Sequence, residues 1–320
     1  MQQKKRKSLR RGAMPELSLP LPQSKLVWKF SASMHTMSRG IWRLVREKPL
    51  GAFGGVLILV LMLCALFAHW IAPHPYDETN VRQRLRPPGA QFYLGTDNLG
   101  RDVFSRIVYG ARISVTVGFG AVALSILLAT ILGVTSGYFG GKVDVFVQRV
   151  VDAAMAFPPL VILLSIMAVL GPGLLNVILV LGIVPSANRS RVIRSATLAA
   201  KENQYVEAAQ AVGASHLRII LCYILPNITA PIIVVATNAL GAVILVEATL
   251  SFLGFGVPPP YPSWGEMLSG SGRSYMYKAP WMAIWPGVAI SLAVFGFNML
   301  GDALRDLLDP RLRGSQLVRR

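Results

Sequence analysis

Residues 207–226 read Glu207-Ala-Ala-Gln-Ala-Val-Gly213-Ala-Ser-His-Leu-Arg-Ile-Ile-Leu-Cys-Tyr-Ile-Leu225-Pro226, a polar stretch set between two charge-free apolar spans. Ala208, Ala209 and Ala211 are small enough to let a helix approach another surface closely. Gly213 has no Cβ and accepts positive φ, so a sharp break is expected there. A second short helix follows, and Pro226 is expected to close it where the next apolar span begins. The reading is a compact helix–turn–helix knob on the end of a membrane helix, shaped to dock into a groove on a soluble partner. The alternative is an ordinary surface hairpin built of small residues.

The rest of the chain sets the context. Of 320 residues, 53% are hydrophobic and 15% charged, with a mean hydropathy of +0.51. Charge-free runs cover 49–68, 113–141, 153–188, 219–246 and 279–301. A spanning helix needs roughly 20 apolar residues. The third run is too long for one helix and is broken by Gly171-Pro172-Gly173, which suggests two antiparallel helices. The fold class is therefore all-α, a polytopic membrane protein with six transmembrane helices at about 50–72, 113–137, 147–170, 174–195, 228–250 and 283–304.

Six spans put both termini on one side. Lys and Arg number twelve in 1–48, two in 138–149, five in 188–226 and five after 304, against eight on the opposite side. Positive residues are retained in the cytoplasm, so both termini and the 199–226 loop are expected there. The net charge of +17 is largely this bias. Residues 1–40 form a basic, disordered cytoplasmic N-terminus suited to anionic lipid headgroups rather than nucleic acid. A permease domain occupies 41–313, with a cytoplasmic tail at 314–320.

The knob resembles the "EAA" loop of the membrane subunits of ATP-binding-cassette importers. Glu207, Ala208, Ala209, Gly213, Leu225 and Pro226 match its pattern, whereas Tyr223 stands where that pattern has an apolar residue, usually Ile. Three further signatures narrow the likeness. They are Leu94-Gly-Thr-Asp-Asn-Leu-Gly-Arg-Asp-Val-Phe-Ser-Arg106 running on to Arg112, Glu247 to Gly256 with Pro262-Ser-Trp-Gly265, and Phe297 to Asp306 followed by Asp309-Pro-Arg311. With Tyr138-Phe-Gly-Gly141 and Tyr205-Val-Glu-Ala-Ala209, they are similar to the C-type permease subunit of dipeptide, oligopeptide and nickel importers over about residues 48–313.

The resemblance implies the fold of type I ABC importer permeases and a non-catalytic subunit forming half of a translocation pathway. It implies a homologous B-type permease partner in a heterodimer, two cytoplasmic ATPases that bind ATP and Mg, and an extracytoplasmic substrate-binding protein. The six matched loop residues would couple to the ATPases. Localisation would be the prokaryotic plasma (inner) membrane, and peptides the leading substrate, with glutathione-like peptides or a nickel chelate behind.

Other residues carry readings of their own. Asp97, Arg101, Asp102 and Arg106 alternate in sign, with Asp102 and Arg106 four apart on one helical face where an ion pair can form. They either tie down a loop or contact the binding protein. Phe104, Tyr109, Trp281 and Trp285 read as anchors at the bilayer interface. Glu247, costly in lipid, either lines the substrate path or caps the turn that follows it. Asn238 and Ser291 are the other candidate path residues. Cys64 and Cys222 are expected as unpaired, buried small hydrophobes.

Several chemistries lack their residues. Gly140-Gly141-Lys142 is followed by Val143 where a phosphate-binding loop needs Ser or Thr. His69 and His74 make a weak ligand pair, so neither a metal nor any cofactor of this chain's own is expected. The rival class, a secondary transporter or channel working without ATPase partners, needs ion-coupling or filter residues that the sequence does not show. An intramembrane enzyme lacks a catalytic constellation.

Overall fold

The computed structural model describes Arg46 and residues 48–308. The basic N-terminus at 1–40, the Asp309-Pro310-Arg311 signature and the tail at 314–320 lie outside the described residues, which are helical and irregular with one isolated β-bridge.

Among the described residues, four helices are long and apolar enough to cross a membrane. Helix α1 spans Pro49–Leu66, with Pro49 in its first turn. That position suits proline, whose missing N–H would be unpaired there anyway. After the single turn α2 (Ala68–Ile71), an irregular segment leads to α3, Val103–Phe139. At 1.5 Å per residue, α3 is about 55 Å long, well beyond the hydrocarbon thickness. The expected span at 113–137 is thus the middle of a longer helix.

The third expected span, 147–170, is not straight. Helix α4 (Gly141–Met155) and α5 (Pro159–Leu170) meet at 83°. The break falls at Phe157-Pro158-Pro159, where each proline disfavours helical geometry in the residue before it. With the bent pair counted as one, the described residues hold up to five spans. The fourth expected span, 174–195, is also in two pieces, α6 (Leu174–Ile183) and α7 (Ser186–Lys201), joined through Pro185. Only α6 is apolar throughout, because α7 carries Arg189, Arg191 and Arg194.

The chain then forms α8 (Gln204–Ala211) and α9 (His216–Ile219). Here Pro226 does not close a helix. A π-helical turn at Ile220–Ile224 carries α9 directly into α10, Leu225–Phe252. The wider π turn gives the proline ring room against the carbonyl four residues back. The Asn227 side chain donates to the Tyr223 carbonyl at 2.6 Å. Short helices α11 (Trp264–Leu268) and α12 (Gly270–Tyr275) precede α13, Trp281–Leu308.

Packing runs through small residues. Helix α3 lies along α7 so closely that a Cβ on Gly133 would meet the Ser190 carbonyl at 2.7 Å. One on Gly54 of α1 would meet the Gly296 carbonyl of α13 at 2.7 Å. Such close backbone approach is how membrane helices associate without a hydrophobic driving force. Two apolar cores result. The larger joins Val117, Met167, Leu181, Ile244, Trp264 and Phe297. The smaller joins Ala129, Tyr138, Ile193, Val206, Ile219 and Ile228 near the short helices α8 and α9.

Candidate functional site

The first helix of the knob and the break at Gly213 form as the sequence predicts, whereas the second helix runs on past Pro226. Helix α8 ends at Ala211 with Val212 as its C-cap, and Gly213 adopts φ +75°, the left-handed region. The Gly213 N–H donates to the Gln210 carbonyl at 2.9 Å and the Ala214 N–H to the Ala209 carbonyl at 3.0 Å. This pair of bonds is the Schellman termination that glycine serves. A Cβ at Gly213 would touch nothing within 4 Å, so the glycine is required by backbone conformation and not by crowding. Ser215 then caps α9, its Oγ accepting from the Arg218 N–H.

One face of the knob is anchored and the other is free. Val206, Ala209, Ile219 and Ile224 are buried in the smaller core, with Leu225 packed against it. The offset at Tyr223 resolves here: Ile224 fills the interior position and Tyr223 lies half-buried beside it. Glu207, Ala208, Gly213 and Pro226 are exposed. Val212 and Leu217 are 84% and 66% exposed on the knob, apolar side chains that the sequence analysis did not single out. Their signal was two aliphatic residues close to a glycine turn in a polar loop. Cys222, expected to be buried, is exposed on the π turn, while Cys64 packs partly against the larger core.

The knob touches the end of α3. The Tyr138 hydroxyl and His216 Nδ1 lie 2.8 Å apart, and the Lys201 ammonium sits 5.8 Å from the Tyr138 ring centroid. Beside it, Asp144 of α4 receives Arg194 Nε of α7 at 2.7 Å and the Ser136 hydroxyl at 2.6 Å. Asp152 pairs with Arg191. The amphipathic α4 is thereby tied to α7.

At the opposite end of α3 the expected Asp102–Arg106 pair does not form. Asp102 is the N-cap instead, its Oδ2 accepting from the Ser105 N–H at 3.0 Å and from the Ser105 hydroxyl at 2.6 Å. Capping satisfies helix donors that a side-chain pair would leave open. Arg106, 2% exposed, turns inward to Glu266 of α11 at 3.0 Å, to the Tyr76 carbonyl at 3.2 Å, and to Asp97 at 3.9 Å. Asp97 also holds Arg101 at 2.6 Å and accepts from the Leu99 and Arg101 backbone N–H groups. Asp97, Asp102 and Arg106 are buried and Arg101 nearly so, and their side chains hold the segment together.

The aromatic residues expected at the interface join the same assembly. Trp281 Nε1 donates to the Thr96 carbonyl at 3.1 Å and Trp264 Nε1 to the Ile107 carbonyl at 3.0 Å. Phe104 packs on Tyr93, and Tyr109 on Tyr76. The three candidate path residues make separate contacts. Glu247 is 1% exposed and accepts from the Ser251 hydroxyl at 2.8 Å, the local structural role. Asn238 packs on Gly301 at the α10–α13 crossing. Ser291 is exposed on α13, its hydroxyl donating to the Gly287 carbonyl.

Comparison with known proteins agrees with this geometry. Residues 106–314 match the family described as binding-protein-dependent transport system inner membrane component. Residues 36–88 match the N-terminal TM domain of oligopeptide transport permease C. The chain is 42% identical over 275 residues to the dipeptide transport system permease protein DppC of Alkalihalophilus pseudofirmus, covering 86% of this chain and 90% of that one. It is 38% identical over 276 residues to the probable D,D-dipeptide transport system permease protein DdpC of Escherichia coli K12, covering 86% and 92%. It is 39% identical over 277 residues to the glutathione transport system permease protein GsiD of Escherichia coli O6:K15:H31, covering 85% and 90%. With its family signature spanning the helices and the knob just described, the chain belongs to the binding-protein-dependent transport system inner membrane components.

Proposed function

We propose that this chain forms one wall of an ATP-driven import pathway for short peptides, and that the knob at 204–219 is where the motion of an ATPase enters it. The observation that carries the reading is the knob itself. It has a buried face fixed to α3 and α10, a glycine-terminated turn, and exposed Val212 and Leu217. Exposed apolar side chains on a polar loop suit a docking surface. Members of the family are inner-membrane permease subunits, so the chain itself is not an enzyme. ATP and Mg belong to partner ATPases in this reading, and the chain carries no cofactor of its own.

The relatives' names support the substrate class: a dipeptide, a D,D-dipeptide and glutathione are all short peptides. A second, homologous permease completes the conduit in this proposal, since a hydrophilic peptide needs groups that replace its water. Ser291, exposed on α13, is the path candidate in this reading. The segment organised by Asp97, Arg101, Asp102 and Arg106 meets the binding protein through exposed neighbours such as Val81 and Tyr93. Both termini and the knob are cytoplasmic, on the Lys and Arg asymmetry.

Reconstitution tests the reading. The chain alone in liposomes is expected to move no peptide, with uptake appearing only when a second permease, two ATPases and the binding protein are added. ATP-independent uptake by the chain alone would sink it. For orientation, a membrane-impermeant thiol reagent on intact cells should label a cysteine placed at Gln91 and spare one placed at Gln210.

A further inference from the structure

The irregular segment between α2 and α3 encloses a polar feature that the import reading does not use. A cavity of about 150 Å³ is lined by His74, Glu78, Asn80, Gln83, Gln91 and Asp102, among others. Glu78, Asn80 and Gln91 are exposed, while the Asp102 side chain is only 1% exposed. Asp102 commits Oδ2 to capping α3, and its Oδ1 is buried without a partner. His74 Nδ1 is likewise buried and unpaired, 3.7 Å from Asp102 Oδ2. The imidazole is held in place by Phe92, 5.1 Å between ring centroids, and by its own backbone N–H on the Ser105 hydroxyl at 3.2 Å.

Asp102 Oδ1 is an acceptor, and His74 Nδ1 is one in the tautomer that carries its proton at Nε2. An ionised carboxylate only accepts. Buried acceptors left open are costly, so the complementary group is one that donates several hydrogen bonds and accepts none. A primary ammonium is that group: compact, with three donors. A guanidinium is a planar fork that favours a carboxylate with both oxygens free, and Asp102 offers one. No cluster of three metal-ligating side chains occurs among the described residues. The volume is several times the roughly 30 Å³ share of a water molecule, which leaves room for an ammonium on a short alkyl stem.

We propose that this cavity binds a primary ammonium group through Asp102 Oδ1 and His74 Nδ1, with the side-chain amides of Asn80 and Gln83 completing the shell. The same chemistry is carried by a lysine of a docking protein and by the free amino terminus of a peptide. The proposal does not rest on the import reading, and its test is a direct binding measurement that can fail while that reading stands.

The test uses the full chain in lipid nanodiscs. Isothermal titration calorimetry with n-butylammonium should show saturable one-to-one binding, and n-butanol should show none. Asp102→Asn keeps an N-cap acceptor but removes the charge, and should weaken binding at least tenfold. Glu78→Lys, at an exposed position, places a tethered ammonium at the mouth and should weaken the probe equally without disturbing the interior. No saturable binding to the unmodified chain, or unchanged affinity in both variants, overturns the site. Competition by a tripeptide but not its N-acetylated form supports it and names a peptide amine as the source. Competition by the binding protein that is lost when its lysines are acetylated supports it and names a docking side chain.

Discussion

The two ends of α3 are built on opposite principles. Its first turn is fixed by charge and hydrogen bonds. Asp102 caps it, and Arg106 reaches Tyr76 and Asp97 on the irregular segment before it and Glu266 on α11. Its last turn packs against the knob by apolar contact, with polar contacts from Tyr138 to His216 and Gln210 and from Ser136 to Asp144 of α4. Directional bonds from a buried guanidinium define one arrangement. A largely apolar surface tolerates small sliding and rocking. Local stability varies across a structure, and elements that must move are drawn from its weaker end. The first end is therefore suited to be a fixed frame and the second to be the place where motion enters.

Substitutions that strike each end separately would break or sharpen this contrast. The largest effect is expected from Arg106→Ala. It removes a buried guanidinium and leaves Glu266 and the Tyr76 carbonyl without their partner, a loss of about 3–5 kcal/mol for a broken buried pair. Thermal unfolding of the purified chain in detergent should show a much lower midpoint. A midpoint close to that of the unmodified chain would mean that the frame is not held by this network.

Gly213→Val comes next, with its effect on coupling. A β-branched residue resists the left-handed conformation by about 1–2 kcal/mol, and nothing crowds the site to add to that. The chain should insert and assemble, while peptide uptake falls at least tenfold and ATP hydrolysis continues. Gly213→Asn, which accepts positive φ more readily, should recover most of the uptake. Equal uptake by the Val and unmodified chains would remove the knob from the mechanism.

The smallest structural effect is expected from Glu207→Lys. Glu207 is exposed on α8, so stability should change by no more than about 0.5 kcal/mol. Co-purification of the ATPases should nevertheless weaken, because the reversal puts the opposite charge on the docking face. Full ATPase retention would confine docking to the exposed apolar side chains of Val212 and Leu217.

What the sequence determined by itself was whatever depends on local chemistry. Membrane spans follow from runs without charge, and the turn at Gly213 from the freedom of a residue without a Cβ. The small residues of the Glu-Ala-Ala stretch and the density of its companion signatures were enough to identify the family. Tertiary structure decided which partner each residue chose. Asp102 and Arg106 stand at a spacing that allows a pair, yet capping and a carboxylate 160 residues away won both. Pro226 reads as a helix stop until a π turn makes room for it, and 147–170 reads as one span until Pro158 and Pro159 bend it. Trp281, an amphipathic ring suited to an interface, found a carbonyl in a distant segment for its N–H. Glu247 leans toward the capping role in the sequence, and its burial beside the Ser251 hydroxyl is supplied by the fold. Periodicity shows that a side chain is polar or apolar and where it lies along an element. The donor or acceptor that satisfies it is brought by a different part of the chain, and only folding supplies that.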